Sequence, residues 1–492
     1  MADPAHSRRI FLFAAGLLLV GATWLRFHQI ARRPFHADEA VQAYQTWQLL
    51  RGDGYSYDPA DKHGPFLYYA AAGIAKISGW FPAELNETRL RSVTLIAGLG
   101  TLALMLGAAS RLGRTAVFIG AVLLATAPLA IIYDTYFVHE AWFCFFTWAL
   151  FFATVRFLDK PTLAGAVLIG ALAGLMQVTK ETSVLHFAAL GVALLCTCAQ
   201  RRILLGGTRP PDGFHQTGKL WPDGLTALLT ALFIYVLFFS SFFTRWAGVA
   251  DGLRAYTHYA ARAVGSAHDH PWSYFLSMLW PHSRGGVHWG EPLLLLVALI
   301  GTVAAFMPRA NVTQRALAIF TLTLFFVYSI IPYKMPWLLL TPYVGLTLLA
   351  GCGAVQLANW LPAKSARLAP AALCLVLLGA GVWRNFPALG RYANDERNPF
   401  VYQPTSPDLT RLVTEIAALP AGEKIAVVSP DHAWPLPWYL RDRAATGYFS
   451  SVPADLAAYD GALLDSRLAS PLPASATAYG LRPNVILWRT TR

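Results

Sequence analysis

Apolar runs recur along this chain from residue 10 to about residue 384, each near the roughly 20 residues an α-helix needs to cross a hydrocarbon core. No water is available inside such a core, so every backbone N–H and C=O must be satisfied within its own segment. Repeated runs of this kind therefore fold as membrane helices. Composition agrees: only 13% of residues are charged, against roughly 25% in soluble globular proteins. A large soluble enzyme is excluded, and a polytopic α-helical membrane protein is expected.

The runs predict about eleven spans, at 10–28, 89–110, 115–133, 140–157, 162–178, 183–199, 224–244, 292–308, 315–331, 337–358 and 367–384. A twelfth apolar stretch, 65–80, is shorter and carries Lys76. Lys and Arg near span ends are retained on the cytoplasmic side, which decides whether this stretch crosses. If it does not, Arg8/Arg9, Arg111/Arg114, Arg156/Lys160, Arg201/Arg202/Arg209/Lys219, Arg309/Arg315 and Lys364/Arg367 all fall on one side. If it does, every cluster after the first changes sides. Residues 65–80 are accordingly predicted to form a non-spanning helix at the outer face. The N-terminus is then cytoplasmic, and the outer regions are a loop at 29–88, a loop at 246–290 and the tail from 385.

Residues 1–384 hold 29 Lys/Arg against 17 Asp/Glu, whereas residues 385–492 hold 10 of each. The basic excess sits in short clusters between apolar runs and reads as orientation signals, so no nucleic-acid partner is expected. All five cysteines (Cys144, Cys196, Cys198, Cys352, Cys374) lie inside apolar runs, which predicts neither a disulfide nor a thiolate metal site. Arg8-Arg9 ahead of the first run lacks a clear cleavage site downstream, so that run is read as an uncleaved span. The tail mixes a helical stretch at 408–418 with short β-type runs at 424–429 and 485–488 between Pro/Gly turns. It is expected to be a small extracytoplasmic α/β domain, 385–492, beside a transmembrane domain of residues 1–384.

Charge on the predicted outer side is where chemistry is sought. His36-Ala-Asp38-Glu39 follows the first span closely, with Asp38 expected at or near a helix N-cap. Lys62-His63-Gly64-Pro65 would hold a cation at headgroup depth, where lysine binds phosphate as a point charge. Asp134 closes the third span and is followed by His139-Glu140; Lys180-Glu181 and the Tyr333–Trp337 segment with Lys334 repeat the theme. Each has a plain reading as a cap, a snorkelling cation or a local ion pair. In the second outer loop, His268 and His270 lack a matching fixed ligand pair, and a loop over a ligand site, with Arg284 in it, is the simpler reading. Trp434 and Trp438 lie between prolines, a setting that more often packs a small domain onto its neighbour than it stacks on a sugar. No GxxxxGK[ST], HExxH or GxSxG occurs in the polar segments, which removes support for nucleotide-driven chemistry. A substrate activated on a membrane carrier is the alternative.

These pieces resemble the GT-C membrane glycosyltransferases, in particular the group of protein O-mannosyltransferases and the bacterial aminoarabinose transferase acting on lipid A (glycosyltransferase family 39-like). The segments His36–Glu39 and Lys62–Tyr69, with Asp134 and Lys180-Glu181, carry the likeness; His63-Gly64 stands where relatives commonly have proline after the lysine. Tyr333–Trp337 and Trp434–Asp442 look like a sporadic prokaryotic family named for an association with flippase activity in archaeal N-glycosylation.

The resemblance implies a prokaryotic inner-membrane or plasma-membrane enzyme of the cell envelope. Its donor would be a sugar on a polyprenyl phosphate, and its acceptor a hydroxyl or amine of an extracytoplasmic lipid, glycan or protein. Asp38 would be the general base; Lys62, with His63, Lys180 and Lys334, would meet the lipid phosphate. Glu39 and Asp134 would orient the base or acceptor, with His139, Glu140, Glu181, Arg284, Trp434 and Trp438 as acceptor contacts or support. No obligatory metal or other cofactor is expected, although the acids could share a divalent cation, since hard cations want several oxygen ligands. The rival expectation is a lipid-linked-sugar flippase or its accessory; a transporter of that kind would show paired repeats and charged or broken helices near mid-membrane.

Overall fold

The structure, a computed structural model, describes residues 4–60, 63–204, 217–262, 265, 268–308, 310–362, 368–468, 476–482 and 485–491. Helices occupy all eleven expected span positions: α1 (Pro4–Gln29), α4 (Glu87–Gly107), α5 (Arg114–Ala125) with α6 (Pro128–Asp134), α7 (Glu140–Asp159), α8 (Leu163–Gln177), α9 (Ser183–Leu204), α10 (Thr217–Phe239), α12 (Pro292–Ala305), α13 (Val312–Ile330), α14 (Leu340–Asn359) and α15 (Ala369–Phe386). Among the described residues seven helices are long and apolar enough to cross a membrane, or eight with α5 and α6 counted as one span. Three more positions hold shorter apolar helices, Leu163–Gln177, Ser183–Thr197 and Pro292–Ala305. The chain is a polytopic membrane protein. Between the spans lie α2 (Ala37–Arg51), α3 (Phe66–Ile77) and α11 (Ala247–Arg262).

One span departs from expectation. The run at 115–133 is not a single straight helix but bends by 68° between α5 and α6. Pro128 begins α6, and its missing N–H and ring end the preceding helix there. Close helix approach elsewhere rests on small residues: a Cβ on Gly301 of α12 would stand 1.8 Å from Leu349 O on α14, and one on Gly353 of α14 would stand 2.0 Å from Val297 O.

The basic clusters around Arg8, Arg111, Arg156 and Arg315 meet at one end of the bundle. Arg114 donates to Ser7 Oγ at 3.0 Å, Arg111 pairs with Asp159 at 2.7 Å, and Asn311 Nδ2 donates to Arg111 O at 2.7 Å. Lys364, Arg309, Arg367 and Arg209 lie outside the described residues. The opposite end carries α2 and α3. With 12 residues, α3 is about 18 Å long, too short for a core of roughly 30 Å. Its end leaves Ile77 and Phe81 exposed, as expected of a helix seated at an interface.

The tail forms a five-stranded sheet in the order β4-β3-β5-β7-β6, from β3 (Ile425–Val428), β4 (Thr446–Phe449), β5 (Gly461–Asp465), β6 (Thr477–Arg482) and β7 (Val485–Thr491). A two-stranded hairpin, β1 (His282–Arg284) with β2 (Val287–Trp289), precedes it in the second loop. β3 runs parallel to β4 and β5, while β7 is antiparallel to β5 and β6. Helix α16 (Asp408–Ala417) covers one face through Leu409, Leu412 and Ile416, which meet Val427, Leu463 and Tyr479. The sheet is held to α2 and the segment before it. Thr405 Oγ1 donates to Phe35 O at 2.7 Å. Tyr439 OH accepts from Phe35 N at 2.8 Å and donates to Glu87 Oε1 at 2.6 Å.

Candidate active site

Helix α2 begins with a capping box whose cap is His36, so Asp38 lies near the cap, two residues on. His36 Nδ1 accepts from Asp38 N at 3.1 Å, and Glu39 reaches back to accept from His36 N at 3.0 Å. An imidazole nitrogen thus does what a cap carboxylate would have done, and Asp38 takes the second helical position with one carboxylate oxygen 3.8 Å from His36 Nδ1. Glu39 points inward and is fully buried, as is Arg91 of α4. Both Glu39 oxygens stand 2.7 Å from Arg91 nitrogens, and Oε1 also accepts from Phe137 N at 2.8 Å. Burial alone would raise the Glu39 pKa, but the Arg91 guanidinium and these N–H groups hold it below its ordinary value. Arg91 further donates to Ile30 O and Arg33 O, each at 2.8 Å. One side chain thereby ties the end of the first span, the start of α2 and the segment after Asp134 to a single point.

Asp38, by contrast, keeps half of its side chain exposed. Its charge acts on Tyr136, His268, Tyr402 and His432, which come from four separate parts of the chain. Tyr402 OH and His268 Nδ1 stand 2.8 Å apart, the Tyr402 ring lies 6.2 Å from that of His36 and 5.8 Å from that of Trp337, and burial together with the Asp38 charge pushes the Tyr402 hydroxyl up to about 12. Burial pushes the His268 imidazole down. From the tail, Arg482 meets His432 through Nη1 and Nη2. The rim around Asp38 is therefore assembled from the first loop, the 134–140 turn, the second loop and the tail.

The other sequence candidates are engaged elsewhere. Asp134 accepts from Arg26 Nε of α1 at 2.7 Å, with both side chains buried, and a Cβ on Gly98 of α4 would strike its carboxylate at 2.1 Å. It joins three helices and does not face Asp38 as a second acid. Lys180 is buried against Glu140. Lys334 donates to the carbonyls of His270, Ile331 and Pro332, so its ammonium holds the 268–270 segment in place. His270 stacks on Tyr274 with centroids 4.2 Å apart, while His268 turns to Tyr402.

A second cluster surrounds His63. Its Nδ1 meets Glu181 Oε2 at 2.8 Å and Tyr259 OH at 2.9 Å, Tyr57 OH donates to Glu181 Oε1 at 3.1 Å, and the His139 ring sits 5.4 Å away. His139 Nε2 faces Gly64 O at 3.1 Å. Phe66 N donates to Val178 O at 3.0 Å, and a Cβ on Gly64 would stand 2.3 Å from that same carbonyl oxygen; only glycine lets the 63–66 segment lie so close. Lys62 lies outside the described residues, one position from this anchored histidine. Arg284 is exposed on the hairpin. Trp438 is buried edge-on to Phe35 at 5.5 Å, with Arg441 over its other face at 3.9 Å, and Trp434 lies edge-on to Tyr44 at 5.7 Å; both pack the tail onto the helices. Among the described residues no three His, Cys, Asp or Glu side chains come together as metal ligands.

Sequence reasoning passed over Arg26, Arg91, Tyr402, His432 and Arg482. The two arginines had a readable signal, since a cation inside an apolar run requires a buried partner. The tail residues had none, because only the fold brings them to Asp38.

Comparison with known proteins gives the arrangement its context. The family model described as dolichyl-phosphate-mannose-protein mannosyltransferase matches residues 62–207. No curated protein matches the chain. Among solved structures, ArnT from Cupriavidus metallidurans bound to undecaprenyl phosphate superposes with a TM-score of 0.63 at 16% identity, covering 99% of this chain and 98% of that one. Archaeal oligosaccharyltransferase AglB from Archaeoglobus fulgidus, in complex with an inhibitory peptide and a dolichol-phosphate, gives 0.56 at 13% identity over 93% of this chain and 70% of that one. The chain has the fold of the GT-C membrane glycosyltransferases that its motifs resembled.

Proposed function

We propose that this protein is a glycosyltransferase that moves a sugar from a polyprenyl-phosphate carrier to a hydroxyl or amine acceptor on the extracytoplasmic side, with Asp38 as general base. The observation that carries the reading is the contrast at Asp38: a half-exposed carboxylate fixed on a capped helix start, while Glu39, Asp134 and Glu140 are buried against cations. ArnT, with undecaprenyl phosphate, and AglB, with a dolichol-phosphate, have lipid carriers of this class in their structures.

In the proposed step Asp38 takes the proton from the acceptor as the acceptor oxygen or nitrogen attacks the anomeric carbon. The bond from that carbon to the phosphate oxygen breaks, and the polyprenyl phosphate leaves with the electron pair. Glu39 acts as a positioning residue through His36 and Arg91. Lys62 is assigned the departing phosphate, because Lys180 and Lys334 already have partners. Tyr136, Tyr402, His432 and Arg482 frame the acceptor side. The basic end of the bundle is placed in the cytoplasm, with α3 and the tail outside.

The test is a purified-protein assay with polyprenyl-phosphate sugars and mixed acceptors in vesicles. Transfer by the native chain that Asp38→Asn removes supports the reading. Transfer undiminished in Asp38→Asn overturns the base assignment, and carrier translocation without any transfer makes the protein a flippase.

A further inference from the structure

A second site lies among α5, α12 and α15 and shares no residue with the Asp38 rim or the His63 cluster. A cleft of about 190 Å³ is lined by Leu123, Leu293, Leu294, Leu377 and Trp383, with Glu291 and Arg384 at its polar end. Trp383 is 80% exposed on its helix, so the cleft opens where the bundle meets lipid. At the polar end Arg384 Nη1 and Tyr343 OH both engage Glu291 Oε2, at 2.8 and 2.6 Å. Glu291 is 2% exposed, yet its Oε1 and Arg384 Nε are both buried without hydrogen-bond partners.

A buried acceptor and a buried donor without partners, on two residues that line one cleft, each cost stability unless something meets them. The occupant's chemistry follows from charge. Glu291 and Arg384 neutralise each other, so a further phosphate or ammonium would face no net opposite charge while paying its own desolvation. A free carboxylate oxygen also repels phosphate. A hydroxyl meets both needs, donating to Glu291 Oε1 and accepting from Arg384 Nε, and the apolar walls suit hydrocarbon.

We propose that this cleft binds the uncharged, hydroxyl-bearing head of a membrane amphiphile, distinct from the phosphate-bearing carrier. The full chain in nanodiscs would be photolabelled with diazirine-bearing diacylglycerol, glycosyl-diacylglycerol, phosphatidic acid and polyprenyl phosphate. Either of the first two should label peptides 290–294 and 377–384, and which one does so identifies the source of the hydroxyl. Ala380→Trp, which puts an indole into the cleft while keeping Glu291 and Arg384, should lower that labelling by about tenfold, comparable with losing one well-placed hydrogen-bonded group, and leave polyprenyl-phosphate labelling unchanged. Glu291→Gln is the second variant, and it should narrow the preference for uncharged heads over phosphatidic acid. Equal labelling by phosphatidic acid in the native chain, labelling insensitive to both variants, or no labelling of these peptides by any probe overturns the proposal.

Discussion

Asp38 and Glu39 are sequence neighbours with opposite fates. Around Asp38, groups from four parts of the chain gather without closing on its carboxylate. One residue on, Glu39 is enclosed by Arg91 and two backbone N–H groups. Asp134 with Arg26 and Glu140 with Lys180 repeat the second pattern. Adjacent acids on a helix start point in different directions, and burial then decides what each does. A carboxylate whose lone pairs are taken holds helices together; one that keeps them can accept a proton.

The largest effects should come from opening the buried layer. Glu39→Ala or Arg91→Met strands a charge in a site that excludes water, at a cost of about 3–5 kcal/mol. Both should lower the unfolding temperature and the folded yield, and transfer should vanish with them. Because the penalty comes from the stranded charge, the double variant Glu39→Leu/Arg91→Met should regain much of the stability in the same melting assay. If it stays as unstable as either single variant, the pair is needed for more than charge compensation.

On the rim the order of effects reverses. Asp38→Asn should cut kcat by about 10²–10⁴-fold, the usual weight of a general base, while moving stability by no more than about 0.5 kcal/mol, as for other half-exposed positions. Measuring transfer rate and melting on one preparation separates the two layers. A melting loss as large as that of Glu39→Ala would place Asp38 in the framework.

Acid should act on the rim through His268, whose imidazole burial holds below its ordinary value. A histidine kept neutral in the fold gives stability that is fully present above its unfolded pKa and lost as pH falls through the lower folded value. Protonation leaves both ring nitrogens as donors and adds a positive charge beside Tyr402 OH, so transfer should decline on the acid side of the ordinary histidine range. His268→Phe should flatten that limb of the pH profile. A limb that stays in place in the variant assigns it to another group.

The fold was more legible than the site. Eleven apolar runs, their flanking cations and a short twelfth stretch led directly to the helices, because hydropathy and length are local properties. The bend at Pro128 was visible in principle but was read as part of one span. In the tail, the runs at 424–429 and 485–488 were legible as strands, whereas β4, β5 and β6 were not, since short half-buried strands carry little local signal. At the site, sequence singled out the acids but could not sort them. Whether an acid is free depends on Arg26 and Arg91, which lie 108 and 52 residues from their partners. Asp38 does sit near the cap, but the capping role itself went to an imidazole nitrogen, which sequence reasoning had not considered.

The smallest effect sharpens the comparison from the far end of the bundle. Arg111 and Asp159 are separated by the same 2.7 Å as Arg26 and Asp134, but 24% and 55% of their side chains are exposed, against 0% and 7%. Water already solvates the exposed pair, and each partner keeps that solvation when the other is removed. Arg111→Gln should therefore cost less than about 1 kcal/mol, shrinking further in high salt, and leave transfer unchanged. Arg26→Gln at the identical distance should cost several times more, because Asp134 would be left charged in a site enclosed by helices. Melting the two variants side by side compares Arg–Asp pairs of equal separation in a buried and an exposed setting, with the Arg26 bonds to Ala22 O and Ala125 O adding to the buried loss; equal losses would mean that something other than desolvation sets apart the two layers of this protein.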